Sequence, residues 1–292
     1  MSRPGPHRDE ETRMTYSQIL FETSGQVATI TLNRPERLNA FTYILAGEMV
    51  DALKKVEAND DLKVSILTGA GRGFCAGMDL GSGGNTFNPT AQNEKEQKTT
   101  GIPVGDLLFS LLDLKKPVIV AVNGPSVGVG LTMILPMDIR IAAESARFGM
   151  VFVRRGVIPE LASPWFLPRI VGVSKAAELM YTGRIIQAAE ALECGLVSKV
   201  VPDAELMNTA RAMAAEIAAN AAPVSLALTK HMLWKFLAET DLHKVEEINH
   251  AYFAWTGAQP DCQEGIMSFL EKRPPSWKMK VSKDMPEFFP LS

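Results

Sequence analysis

The sequence predicts an α/β fold that gives way to a helical C-terminal third. Short β-rich runs ending in glycine turns recur through the first half. A helix-patterned segment separates two of them. Beyond about residue 160 the chain turns to helical runs rich in alanine and leucine. The first two runs lie in "QILFETSGQVATITLNRP" on either side of Ser24-Gly25, which is hairpin chemistry, and Pro35 closes the second. Leu45, Met49, Ala52, Leu53 and Val56 then recur at helical spacing before "LKVSILTGAG", a short buried strand, so the three pieces predict a β-α-β crossover. The polar stretch "GSGGNTFNPTAQNEKEQKTTG" predicts a long loop, 81–101, over a site, and "IPVGDLLFSLLDL" a helix. "KKPVIVAVNG" is a second strand-to-glycine unit. After the apolar "SVGVGLTMILPMD", one further strand is expected within "DIRIAAESARFG". "ELASPWFLPRIVG", "SKAAELMYTG" and "AAEALECGLV" predict short helices, "SKVVP" a brief strand, and four longer helices fall within 204–272. The expected organisation is a leader over 1–14, a core over 15–203, a helical region over 204–277 and a tail over 278–292 whose phenylalanines can dock.

Composition narrows the function. With 292 residues, 46% hydrophobic and 22% charged, the chain can bury one large core. Its net charge of -3 and pI near 5.9 provide no basic footprint, so no nucleic acid is expected as partner. No apolar run reaches the ~20 residues a bilayer requires, and the leader has no apolar core; the expectation is a cytoplasmic protein without a membrane partner. Cys75, Cys194 and Cys262 have no metal-like spacing, nor do His7, His231, His243 and His250, so no metal is expected. Cys75 lacks a local activator and reads as a small packing residue.

The glycine-rich turns carry the chemistry. "GRGFCAGMDLGS" and "VNGPSVGVGL" each follow a strand, where a parallel sheet presents its carboxyl edge to ligands. Glycine admits backbone N–H groups close to a ligand, so two such turns can aim two amides at one oxygen, an oxyanion hole. Either turn alone is equally a tight connection or a helix cap. Neither is a phosphate loop, because "GPSVGVGL" lacks the G-K-[ST] ending.

Taken in order, "NRPERLNAF", "FCAGMDL", "AVNGPSVGVG", "TGRIIQAAEALECGLVSKVVP" and "PDCQEGIMSFLEKRP" resemble the crotonase, or enoyl-CoA hydratase/isomerase, superfamily from about residue 16 to 275. The resemblance implies a spiral of β-β-α units, a helical C-terminal region that forms a homotrimer or dimer of trimers, and an acyl-CoA thioester as ligand, with no cofactor beyond the coenzyme A of the substrate. It places the oxyanion amides at Met78 and at Val129, where the family usually has glycine, beside Gly128. It assigns Ala76, Asp79 and Leu80 to an adenine pocket, Arg37 to the CoA phosphates, and Lys272 to CoA across a subunit interface. The two glutamates of the family's hydratases fall at Thr132 and Phe152, neither of which can serve as a carboxylate base.

One acid is left for the acyl end. By type alone Glu160 is a helix N-terminal glutamate, worth about 0.3–1 kcal/mol against the macrodipole. Alternatively it sits among Phe148, Met150, Phe152, Ile158, Trp165 and Phe166 in a hydrophobic acyl pocket, where desolvation raises its pKa. The resemblance favours the second, because Glu160 matches the acid of several enoyl-CoA and dienoyl-CoA isomerases in the superfamily. It implies a double-bond isomerase of enoyl-CoA with a single glutamate base. The alternatives are a hydrolase or hydratase of an unusual acyl-CoA, and a non-catalytic CoA-binding homologue.

Overall fold

The antiparallel hairpin forms as expected, β1 (Ile19–Ser24) against β2 (Val27–Leu32), with Gly25 at the turn. The structure is a computed structural model describing residues 16–88 and 105–290; the leader and residues 89–101 of the expected loop lie outside the described residues. Helix α1 (Tyr43–Ala58) starts where Thr42 Oγ1 accepts the Leu45 N–H, an N-cap, and buries the face carrying Leu45, Met49, Ala52, Leu53 and Val56. It crosses to β3 (Val64–Gly69), which runs parallel to β2.

Helix α2 (Gly105–Asp113) precedes β4 (Val118–Val122). Strand β5 (Pro125–Val127) leads into α3 (Val129–Thr132). The single strand expected over "DIRIAAESARFG" is two: β6 (Ile139–Ala143) and β7 (Arg147–Gly149). They join different sheets, because the chain turns at Glu144–Ser145, where an alternating pattern cannot register the break. α4 (Ser163–Val171), α5 (Val173–Thr182), β8 (Ile185–Gln187), α6 (Ala188–Glu193) and β9 (Lys199–Val201) follow, β8 being a strand that the sequence pattern does not reveal. The larger sheet runs β1-β2-β3-β4-β6-β9, parallel except for β1, and the smaller runs β5-β7-β8.

Both faces of the larger sheet are covered, which is why "VIVAV" of β4 is apolar without alternation. On one face Val64, Ile66, Ile119, Ala121 and Ile141 pack against Ala210, Ala214 and Ala218 of α7 (Leu206–Asn220), whose one-methyl stripe lets the helix lie close. On the other lies the main core with α1 and α2. Helices α8 (Pro223–Phe236), α9 (Leu242–Gly257) and α10 (Pro260–Glu271) complete the helical region, and the tail docks there, Phe288 stacking on Tyr252 and Phe289 lying 4.9 Å from His231. Among the described residues no single helix is long and apolar enough to cross a membrane.

Helix α8 is fastened to the sheet by a buried ion pair. Asp138 Oδ2 accepts from Lys230 Nζ at 2.9 Å and from the Val118 N–H at 2.8 Å, while Oδ1 accepts from Trp234 Nε1 at 2.9 Å. Lys230 is 5% exposed, so removing Asp138 strands a buried ammonium. Asp138→Ala is therefore expected to lower stability by about 3–5 kcal/mol in urea unfolding; a midpoint equal to the wild type's refutes this anchor.

Candidate active site

Two backbone segments build the site's floor. Cys75 pairs with Ser126 in a parallel bridge, its N–H donating to the Pro125 carbonyl at 2.9 Å while the Val127 N–H donates to the Cys75 carbonyl at 3.0 Å. Carried forward, that register sets Met78 beside Val129. The approach is too close for side chains: a Cβ on Gly130 would stand 2.2 Å from the Cys75 carbonyl oxygen. Gly128, at φ 57 and ψ -126, takes the conformation an L side chain resists, which leaves Val129 as an ordinary first residue of α3. Valine at this position, where the resemblance leads to glycine, is thus accommodated, because the strained position is the one before it.

Both expected amides are open. Phe41 donates to the Gly77 carbonyl at 2.8 Å and accepts from the Asp79 N–H at 2.9 Å, so Met78, between them, turns its own N–H the other way. The Val129 N–H is the first of its helix, where no intrahelical acceptor exists. Among the described residues neither N–H has a backbone acceptor.

The two turns open into a cavity of about 730 Å³, lined by Ala76, Met78, Leu80, Phe87, Gly128, Val129, Phe152, Arg154, Arg155, Ile158 and Glu160, among others. Glu160 is the one carboxylate lining it among the described residues. Its helix does not begin with it: α4 starts three residues later, after Leu161 and Ala162, both non-glycines in the left-handed region at φ 51 and 52. Each costs about 1–3 kcal/mol, strain that directs Glu160 away from the helix axis. The helix-terminal reading of Glu160 is thereby corrected. Its Oε1 accepts a hydrogen bond from Thr132 Oγ1 at the end of α3. Burial pushes the carboxyl up to about 7, the Thr132 hydrogen bond acting in the opposite sense.

The other candidates divide. Thr132 is fully buried behind the cavity wall, touching Glu160 rather than the open space. Trp165, expected in the acyl pocket, does not line the cavity; it packs edge-on to Phe166 at 4.8 Å with Arg169 over its ring at 4.0 Å. Asp79 is held by Arg34, Nη2 to Oδ2 at 2.7 Å, and that hydrogen bond keeps its carboxyl below the usual range. Arg34 lies in the same "NRPERLNAF" as Arg37, but no spacing rule pairs it with a residue so far along the chain. Arg37 is exposed, as is Lys272, and neither lines the cavity. Cys75 is buried with its thiol pushed up to about 12, which suits packing and not nucleophilic chemistry. No cluster of metal-binding side chains exists among the described residues.

The family model for enoyl-CoA hydratase/isomerase matches residues 22–280. The chain belongs to the enoyl-CoA hydratase/isomerase family. It is 38% identical to the 1,2-epoxyphenylacetyl-CoA isomerase of Escherichia coli (strain K12), over 90% of this chain and 98% of that one. An enoyl-CoA hydratase of Alternaria alternata is 37% identical over 86% of this chain and 83% of its own. Among solved structures, a probable enoyl-CoA hydratase/isomerase from Mycobacterium abscessus aligns with a TM-score of 0.80 at 33% identity, over 90% of this chain and 99% of that one. The family's enzymes thus include reactions of both kinds on one architecture.

Burial of Glu160 has a thermodynamic consequence that needs no substrate. Its pKa, about 7, exceeds the ordinary 4.5, so from about pH 4.5 to 7 the folded state holds a proton that the unfolded state has released. Stability contributed by this group therefore falls as pH rises through that window and is flat above it. Glu160→Gln is expected to melt higher than the wild type at pH 8 by the equivalent of about 3 kcal/mol, with the gain vanishing near pH 4. Equal melting temperatures at both pH values refute the burial argument.

Proposed function

We propose that this enzyme shifts a carbon–carbon double bond in an enoyl-CoA thioester, with Glu160 as the single base. The observation that carries the reading is one cavity whose floor offers two open amides, Met78 and Val129, and whose wall offers one carboxylate, Glu160, tuned to titrate near neutrality. With the thioester oxygen between the two amides, negative charge arising there is stabilised as an enolate. Glu160 then takes a proton from the carbon beside the carbonyl and returns it two carbons further along, so the double bond moves and the carboxylate is regenerated. Addition of water through an acid/base pair of glutamates has no support at Thr132 and Phe152, the positions where the hydratases carry them.

Ala76 and Leu80 border the same cavity, which supports their place beside the CoA moiety, and Arg37 is the proposed phosphate contact. Lys272 ends α10 in the left-handed conformation, exposed and apart from its own chain's cavity, which supports a reach into a neighbouring subunit's site. The same region exposes Phe253 at 76%, Phe269 at 81% and Leu270 at 65%, apolar surface that a homotrimer or dimer of trimers would cover. Sedimentation is expected to give a trimer or its multiple at micromolar concentration; a monomer would remove the proposed role of Lys272.

The deciding assay follows 3-enoyl-CoA to 2-enoyl-CoA conversion in deuterated water alongside hydration of 2-enoyl-CoA. Conversion should dominate and Glu160→Gln should lose it by at least about 100-fold while CoA-ester binding survives. Brisk hydration with poor conversion overturns the proposal in favour of a hydratase. Hydrolysis alone would make the protein a hydrolase, and tight binding with no turnover a CoA-binding homologue.

A further inference from the structure

We propose that Thr132 is a positioning residue that keeps Glu160 hydrogen-bonded in both of its protonation states, by turning one hydroxyl between two acceptors. The inference rests on Glu160 acting as the base. Thr132 Oγ1 touches two oxygens: Glu160 Oε1, and the Val129 carbonyl oxygen at 3.4 Å. Its side chain is 0% exposed, so water cannot substitute for either contact. A hydroxyl has one hydrogen and two lone pairs, and threonine in a helix can bond the carbonyl three residues back. When Glu160 is ionised, the Thr132 hydrogen points to Oε1. When Glu160 carries a proton on Oε1, that proton is donated to Thr132 Oγ1, and the threonine's own hydrogen turns to the Val129 carbonyl.

The proton count closes over the cycle. The substrate C–H bond breaks, its electron pair passes into the enolate, and an O–H bond forms on Glu160. In the second half that O–H bond breaks and a C–H bond forms two carbons away. With Oε1 held by Thr132, Oε2 is left for the substrate, and a half-turn of the carboxyl about Cγ–Cδ exchanges the two oxygens and carries the proton from one side to the other. The O–H bond of Thr132 is never broken. Its bond to whichever carboxyl oxygen faces it restores the same carboxyl plane after each half-turn, and the turn that supplies the oxyanion donor also holds the base. The other charged or titratable groups sharing the cavity are Tyr43, Arg154 and Arg155, and Arg154 is tied through Nε to the Thr182 carbonyl at 2.6 Å.

The test compares wild type, Thr132→Val and Thr132→Ser. It reads the pH profile of kcat/KM, and separately the carboxyl carbon-13 NMR titration of Glu160 without substrate, its signal assigned by loss in Glu160→Gln. Because a bond donated to the carboxylate is stronger than one between neutral groups, Thr132→Val should move both titrations up by about one pH unit. It should also lower kcat about 10- to 100-fold with KM nearly unchanged, and Thr132→Ser should restore the wild-type values. An unshifted titration in Thr132→Val, or a serine variant that behaves like valine, overturns the inference. Should Thr132→Val fail to fold by circular dichroism, Thr132→Ala enters the same titrations with the same criteria. The NMR arm needs no turnover, so a protein that fails to isomerise counts against the proposed function and leaves the Thr132 result standing by itself.

Discussion

Everything at the site depends on two stretches of backbone lying closer together than side chains permit. Segments 74–75 and 125–127, beyond the carboxyl ends of β3 and β4, are joined by a single parallel bridge, and Gly130 has no room for even a methyl group over the Cys75 carbonyl. That contact lines up Met78 and Val129. It also settles the direction of α3, since the helix begins three residues beyond the bridge, and hence the place of Thr132. Asn39, fully buried, ties the same region from below: its Nδ2 donates to the Ala70 and Gly73 carbonyls at 2.9 and 2.7 Å, and its Oδ1 accepts the Arg34 N–H at 2.8 Å. Preorganised amides are worth most where they need not move to meet charge, and here neither turn can relax without disturbing the core beneath it.

The acid comes from the opposite direction and at a cost. Glu160 is carried on a turn with two consecutive left-handed non-glycine residues and is buried enough to oppose its own ionisation. Strain and desolvation are both unfavourable to folding, and nothing in the core requires either. Their coincidence at one residue that meets α3 through Thr132 is the pattern expected of a site in which stability has been given up for chemistry.

The sequence shows the larger elements well and the smallest poorly, for physical reasons. β2 alternates half-buried and buried positions, β3 and β4 are buried runs, and α1 carries its core stripe through sixteen residues, so periodicity has room to register. β7 and β8 have three residues each, too few for any period to declare itself, and they exist because tertiary pairing supplies what local pattern does not. The glycine turns were legible as backbone sites because glycine is cheap only where a side chain is not wanted. The left-handed Leu161 and Ala162 were not, since no residue type announces that conformation. Arg34 with Asp79, and Thr132 with Glu160, join residues 45 and 28 positions apart, contacts that only the closed fold creates. Trp165 misled because apolar composition does not say which side a nine-residue helix shows, and its ring lies against Arg169 instead.

This chain's relatives include both an isomerase and hydratases, and of the two parts of its own site the backbone platform is less exposed to substitution than the acid. The platform is backbone, so substitution around it leaves it intact as long as the glycines stay. The acid is a side chain, and moving it by one element changes which substrate atom it meets. Here the two positions that the resemblance matches to hydratase glutamates hold Thr132 and Phe152, and the cavity's carboxylate is Glu160, which rests on that threonine. Phe152 is 6% exposed and lines the cavity, so the wall at that position is apolar. Burial is what lifts the Glu160 pKa to about 7, the range in which one carboxyl can both accept and return a proton.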